Sequence, residues 1–189
     1  MDDVLNFIVR LFTRTPWIFL SWPAAAMLVG TFIAVISKQT ATRLAVVPRT
    51  APGLVGLLTA PFIHANFAHL AANLPPFLVL GALVLRRGDT RFLSVTLTIT
   101  FGQGVLLWLF GRKSAHVGMS GVIFGFFGWL IAVAYFLRTT TDLLVAIIVL
   151  ILYSGMIAGI APVRKEVSWE GHLFGLLVGV GMAWFQYHR

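Results

Sequence analysis

The sequence predicts an all-α polytopic membrane protein, a bundle of six transmembrane helices. Three observations carry that expectation. Of the 189 residues, 59% are hydrophobic and only 11% are charged, with a mean hydropathy of +0.93; a water-soluble domain carries about a quarter charged residues. Apolar runs close to the ~20 residues that one bilayer crossing needs recur along the chain. The fourteen Lys and Arg residues, which bring the net charge to +8, fall in the gaps between these runs. Anionic lipid headgroups, not nucleic acid, are the partners expected of charge placed there. Sixteen Phe and six Trp suit lipid-facing and interfacial positions. The absence of Cys excludes disulfides, thiolate metal sites and a cysteine nucleophile. Nothing in the pattern calls for a cofactor or a metal.

Taken in order, residues 1–14 form a short amphipathic segment: Val4, Leu5, Ile8, Leu11 and Phe12 recur at helical spacing among Asp2, Asp3, Arg10 and Arg14. The rest, 15–189, reads as one six-span domain. Thr15-Pro16 looks like an N-cap with proline at the first helical position, opening a first span over Trp17–Ile36 that is expected to be a retained anchor, because no clear cleavage pattern follows it. Residues 38–61, with prolines at 48, 52 and 61 and a semi-apolar run Leu54, Val55, Leu57 and Leu58, are expected to lie in the interface. The second span covers Phe62–Leu85 and ends in the basic turn Arg86-Arg87-Gly88-Asp89-Thr90-Arg91. The third is Phe92–Phe110, the fourth Ser120–Leu137, the fifth Leu143–Ile160 and the sixth Gly171–Tyr187, with a polar loop over Ala161–Glu170.

Loop charge does not orient this arrangement. Arg10, Arg14, Arg86, Arg87, Arg91, Arg138 and Arg189 fall on one side, and Lys38, Arg43, Arg49, Arg112, Lys113, Arg164 and Lys165 on the other. That is seven against seven, so the positive-inside rule is silent. An even number of spans does place both termini on the same side.

Polar residues inside apolar spans are the functional candidates. Ser120 opens the fourth span within Gly118-Met119-Ser120-Gly121, and His172 opens the sixth. Both follow odd-numbered loops, so both sit near the same face of the membrane. Gly121, Gly125 and Gly128, and Gly171, Gly175 and Gly179, form small-residue stripes that let two membrane helices touch. Such packing accounts for the glycines and even the serine without any catalysis. It also brings a hydroxyl to an imidazole, and histidine is the base suited to activating serine near neutral pH. Phe124, four residues after Ser120, can present its ring beneath that imidazole. His69 and Asn73 share one face of the second span at i, i+4; with the Ser120 amide they can supply three donors to an oxyanion. His69 alone also has a plain reading, a hydrogen bond to a neighbouring helix. Glu170 faces away from His172, so a serine–histidine dyad is expected, not a triad. Pro75 and Pro76 remove two N–H donors from the second span, leave the Ala71 and Ala72 carbonyls without helical partners, and are expected to kink it.

These residues resemble those of the rhomboid intramembrane serine proteases, in a minimal bacterial form. The pattern His64-x4-His69-x3-Asn73, the Gly-x-Ser-Gly at 118–121 and the Gly-His-x2-Gly at 171–175 match in order and spacing, within a resemblance that spans residues 15–187. It implies Ser120 as nucleophile and His172 as general base. His69, Asn73 and the Ser120 amide would form the oxyanion hole, with Gly118 and Phe124 in its surroundings. It also implies cytoplasmic termini in a bacterial inner membrane, and cleavage of the transmembrane segments of other proteins by way of a lateral path beside the second and fifth spans. The chain departs from the family pattern in three places. No Trp-Arg stands between 38 and 61, Val84 replaces a glutamate, and Phe124 stands where tyrosine is frequent. None of these removes a catalytic group. Two other classes compete: an inactive relative that only binds membrane proteins, and a transporter or cofactor binder using His64, His69, His116 and His172. Against the latter, His64 and His69 are i, i+5 and do not share a helical face.

Overall fold

The computed structural model describes Val9 and residues 16–161 and 168–188. The expected interfacial helix over 2–14 and most of the loop over Ala161–Glu170 lie outside the described residues. Among the described residues six long helices follow one another: α1 Ile18–Ile36, α2 Phe67–Leu85, α3 Asp89–Phe110, α4 Ser120–Leu137, α5 Thr140–Tyr153 and α6 Trp169–Tyr187. Among the described residues no strand forms; a single antiparallel bridge pairs Val46 with His116. Among the described residues five helical segments are long and apolar enough to cross a membrane: α1 to α4, and α5 together with the 3-10 turn Ser154–Ile160 that continues it. α6 has the length, 19 residues, but Glu170, His172 and Gln186 make it less apolar. The count of six therefore stands as five clear spans plus one polar-tipped helix packed among them.

Local chemistry moves several boundaries from where apolar runs alone put them. α2 starts at Phe67, not Phe62, because Asn66 takes the His69 N–H on its side chain at 2.8 Å and caps the helix there. Residues Ala60–Phe62 form a separate 3-10 turn. α3 starts at Asp89 because Gly88, at φ +99, ends the basic turn, and the acidic residue in the first turn suits the helix dipole. α5 starts at Thr140, where Thr139 caps the Asp142 N–H, and ends at Tyr153. α6 starts at Trp169. At the front of α1, Trp17 is the N-cap and Pro16 lies one residue ahead of it; Thr15 is outside the described residues. α2 runs unbroken through Pro75 and Pro76.

The core is built around α4. Phe77 of α2 stacks on Phe126 with ring centroids 6.4 Å apart, and Phe92 of α3 lies 5.9 Å from the same ring. Trp129, fully buried, donates its indole N–H to Gln186 of α6 at 3.0 Å, which satisfies the one polar group of a large apolar side chain. The glycine stripes act as the sequence suggests. A Cβ on Gly175 would overlap the Gly121 carbonyl oxygen, and one on Gly179 the Gly125 carbonyl oxygen. α4 and α6 therefore meet backbone to backbone. At the opposite end of the bundle, buried Asp142 pairs with Arg86 at 3.1 Å and with Arg87, tying the α2–α3 turn to the start of α5. Glu170 is buried too, but pairs with Arg112 at 3.4 Å. Both buried carboxylates sit in first helical turns next to arginine, not at mid-membrane.

Candidate active site

The approach to Ser120 is held by the long first connection, which supplies four short helical pieces between Lys38 and Phe62 and far more order than a surface loop needs. Val46 and His116 exchange both backbone hydrogen bonds, at 3.0 and 2.9 Å. The Gly118 N–H donates to the Ala60 carbonyl at 2.9 Å, and the Met119 N–H to Nε2 of His64 at 3.4 Å. Trp108 Nε1 donates to the Thr50 carbonyl at 2.9 Å. Gly118 then turns the chain at φ +113, a conformation glycine adopts without strain, with the His69 ring against it where a Cβ would otherwise stand. Ser120 follows as the first residue of α4. The first N–H groups of a helix have no intrahelical partner, so the Ser120 amide is free of the helix ladder.

Ser120 Oγ lies 2.9 Å from His172 Nε2, and His172 Nδ1 lies 2.9 Å from the Gly159 carbonyl oxygen. A carbonyl only accepts, so Nδ1 carries the proton and Nε2 presents a lone pair to the serine hydroxyl. The Phe124 ring stacks on the imidazole, centroids 4.2 Å apart and planes 8° from parallel. Phe124 thus lies against the imidazole of His172, and it fixes the plane in which that ring can lie.

Of the expected oxyanion donors, Asn73 is buried and its Nδ2 donates to the His69 carbonyl at 2.8 Å. This bond fixes the amide orientation and leaves the second N–H of the same nitrogen for another acceptor. The His69 ring packs edge-on to His64 at 5.0 Å and against Gly118, two residues before the serine. Gly118 itself contributes shape; its N–H is committed to Ala60. Beside Ser120 and Gly121 a polar pocket of about 20 Å³ is lined by Gln103, His116 and Ser168, which is room for one water molecule.

His116 and His64 each make hydrogen bonds near the site. His116, buried, meets Ser168 Oγ at 2.7 Å and the Arg112 carbonyl at 3.0 Å, and burial lowers its pKa. It clamps the third loop to the start of α6. His64 is fully buried, which pushes its pKa down to about 4 and keeps Nε2 an acceptor for the Met119 N–H. Among the described residues no group of three His, Asp or Glu side chains converges in a metal-binding arrangement. Sequence reasoning missed the Gly159 carbonyl, the clamp from the first connection and the place of Gln103 in the pocket wall. Of these only Gln103 left a signal, a lone amide in an apolar span.

Fold and site together define an integral membrane helical bundle with a serine–histidine pair at the mouth of one buried helix. The chain belongs to the rhomboid family: the family profile described as Rhomboid domain matches residues 51–189. An uncharacterized protein of Mycobacterium tuberculosis is 35% identical over 181 residues, covering 86% of this chain and 75% of that protein. A second, from Mycobacterium leprae, is 39% identical over 140 residues, 69% of this chain and 55% of that one. Rhomboid-like protein 11, chloroplastic, of Arabidopsis thaliana is 30% identical over 151 residues, 70% of this chain and 52% of the plant protein.

Proposed function

We propose that this protein is an intramembrane serine endopeptidase that cleaves transmembrane segments of other membrane proteins, with residues 15–189 as the protease domain. The observation that carries the reading is the 2.9 Å contact between Ser120 Oγ and the unprotonated Nε2 of His172, at the end of a helix buried among other apolar helices. A serine hydroxyl becomes a nucleophile when a base takes its proton. In the acylation step Oγ adds to the scissile carbonyl carbon while Nε2 receives the hydroxyl proton. The negative charge moves to the carbonyl oxygen, facing the Ser120 N–H, the His69 ring and the free N–H of Asn73. Collapse breaks the C–N bond, and the imidazolium returns its proton to the departing amine. Water, for which the pocket beside Ser120 has room, then repeats the sequence on the acyl-enzyme and regenerates the serine. Membership of the rhomboid family supports the same class of activity. We further assign the protein to a bacterial inner membrane, with both termini cytoplasmic and the Ser120 face outward.

The test is labelling by a fluorophosphonate, together with cleavage of a reporter transmembrane substrate. Both are expected in the wild type. Both fall below detection in Ser120→Ala and in His172→Ala, with thermal unfolding unchanged. Near-normal cleavage by Ser120→Ala removes the serine-protease reading. Absence of labelling in well-folded wild type points to the inactive relative that only binds membrane proteins.

A further inference from the structure

α5 stops at Tyr153, and the chain tightens into a 3-10 turn of seven residues, Ser154–Ile160, none of them buried. Runs of 3-10 longer than three or four residues are uncommon, because their hydrogen bonds are poorly aligned. A turn this long with so little burial needs a tertiary contact to fix it. Met156 packs against the core cluster, and the Gly159 carbonyl meets His172 Nδ1 at 2.9 Å. The carbonyls in the last turn of a helix lack intrahelical partners, so the imidazole N–H satisfies a group that would otherwise be orphaned. Glycine is what permits the approach: a Cβ at position 159 would stand 3.1 Å from His172 Nδ1 and 3.1 Å from Phe124 Cζ. Gly155, one turn earlier, has open space around its own Cβ position. The carboxylate nearest in sequence, Glu170, is engaged with Arg112.

We propose that the Gly159 carbonyl is the positioning third group of the Ser120–His172 pair, a backbone oxygen serving where soluble serine hydrolases use a carboxylate. The inference rests on the serine-protease reading for its catalytic meaning. The orienting bond itself can be measured separately. A neutral acceptor fixes the tautomer and the ring plane without adding a buried charge, which an apolar bundle accommodates poorly. The assignment also makes the base's orientation depend on the segment after α5. Moving the turn away from α6 frees Nδ1 and lets the ring leave Phe124.

Two measurements on the full-length protein in nanodiscs test this. With 15N-labelled histidine, assigned by single His→Gln variants, His172 is expected as the Nδ1-protonated tautomer in the wild type. An Nε2-protonated His172 in the wild type overturns the proposal, whatever the activity. Gly159→Ala is expected to slow fluorophosphonate labelling of Ser120 at least about tenfold, since small displacements of a reacting group are costly. Gly155→Ala is expected to stay within about twofold, as exposed substitutions do. Labelling of Gly159→Ala within about twofold of wild type also overturns the proposal. Failure of wild-type labelling with the Nδ1–H tautomer present sinks the protease reading and leaves the orienting bond standing.

Discussion

The fourth and fifth spans are both strongly apolar, and the protein uses them in opposite ways. In Ser120–Leu137, 72% of the span is buried within the protein; in the most apolar 18 residues of Thr140–Ile160 only 17% is. In a bilayer, lipid is as apolar as leucine, so hydrophobicity does not draw one membrane helix against another; close backbone approach does. α6 sets Gly175 and Gly179 against the Gly121 and Gly125 carbonyls of α4, and Gly128 of α4 faces Leu176 of α6, while α5 turns Leu144, Ile147, Ile148 and Ile151 outward and touches the bundle through Val145, Ala146 and Val149. Both side chains of the candidate dyad sit on the glycine-locked seam. The loosely embraced span contributes only a main-chain carbonyl. Reacting groups need positions held to fractions of an ångström, and the seam is the place in this bundle that supplies them.

The strongest way to break this contrast is a bulky residue in the seam. Gly175→Leu places its side chain into the Gly121 backbone, and no rotamer relieves an overlap that begins at Cβ. Overpacking of flexible side chains costs about 1–3 kcal/mol, and a backbone obstacle costs more. The folded bundle and Ser120 labelling should both be lost, while Gly155→Leu unfolds like wild type; thermal scans in detergent compare the two. Equal unfolding temperatures would show that the seam is no tighter than the fifth span.

A smaller effect sharpens the contrast from the second span. If His69 and Asn73 face the oxyanion, His69→Ala and Asn73→Ala each lose roughly 10²–10³ in kcat with little change in stability. Asn73→Asp keeps the shape and removes the donor, and should be at least as slow as Asn73→Ala. A stability loss with kcat intact in the surviving protein would return both residues to structural hydrogen bonding.

The smallest effect concerns acid. His64 holds the Met119 N–H next to Ser120, and its pKa is depressed from 6.5 to about 4 by burial. The unfolded chain therefore binds the proton more readily than the folded one. The stabilisation is complete above about pH 6.5 and is lost as the pH falls from there toward 4. His64→Gln, which keeps an acceptor and cannot titrate in this range, should flatten that decline in unfolding temperature. An unchanged acid slope in His64→Gln would assign the decline to another group.

Much of this was legible along the chain, because its signals are local or periodic. Apolar runs gave the spans, small residues at i, i+4 gave the seam, and isolated polar residues in apolar runs gave Ser120, His172, His69 and Asn73. Helix ends were less legible, since a cap is one side chain acting on one N–H: Asn66 and Thr139 shift their helices by several residues with no change in hydropathy. The first connection reads as interfacial from composition, while its real work is pairing Val46 with His116, and Ala60 and His64 with the residues ahead of Ser120.

Composition and spacing alone put the chain in a membrane, marked two helices that can touch, and marked polar groups at one end of them. Those properties belong to side chains, and side chains are what a sequence records. It takes the folded chain to show that a 3-10 turn after α5 brings the Gly159 carbonyl to His172, that Phe124 flattens the imidazole against its face, and that Glu170 is drawn off by Arg112. Every residue has a carbonyl, so nothing in the sequence marks the one that orients the base; its partner is chosen by how segments distant in the chain come to rest against each other.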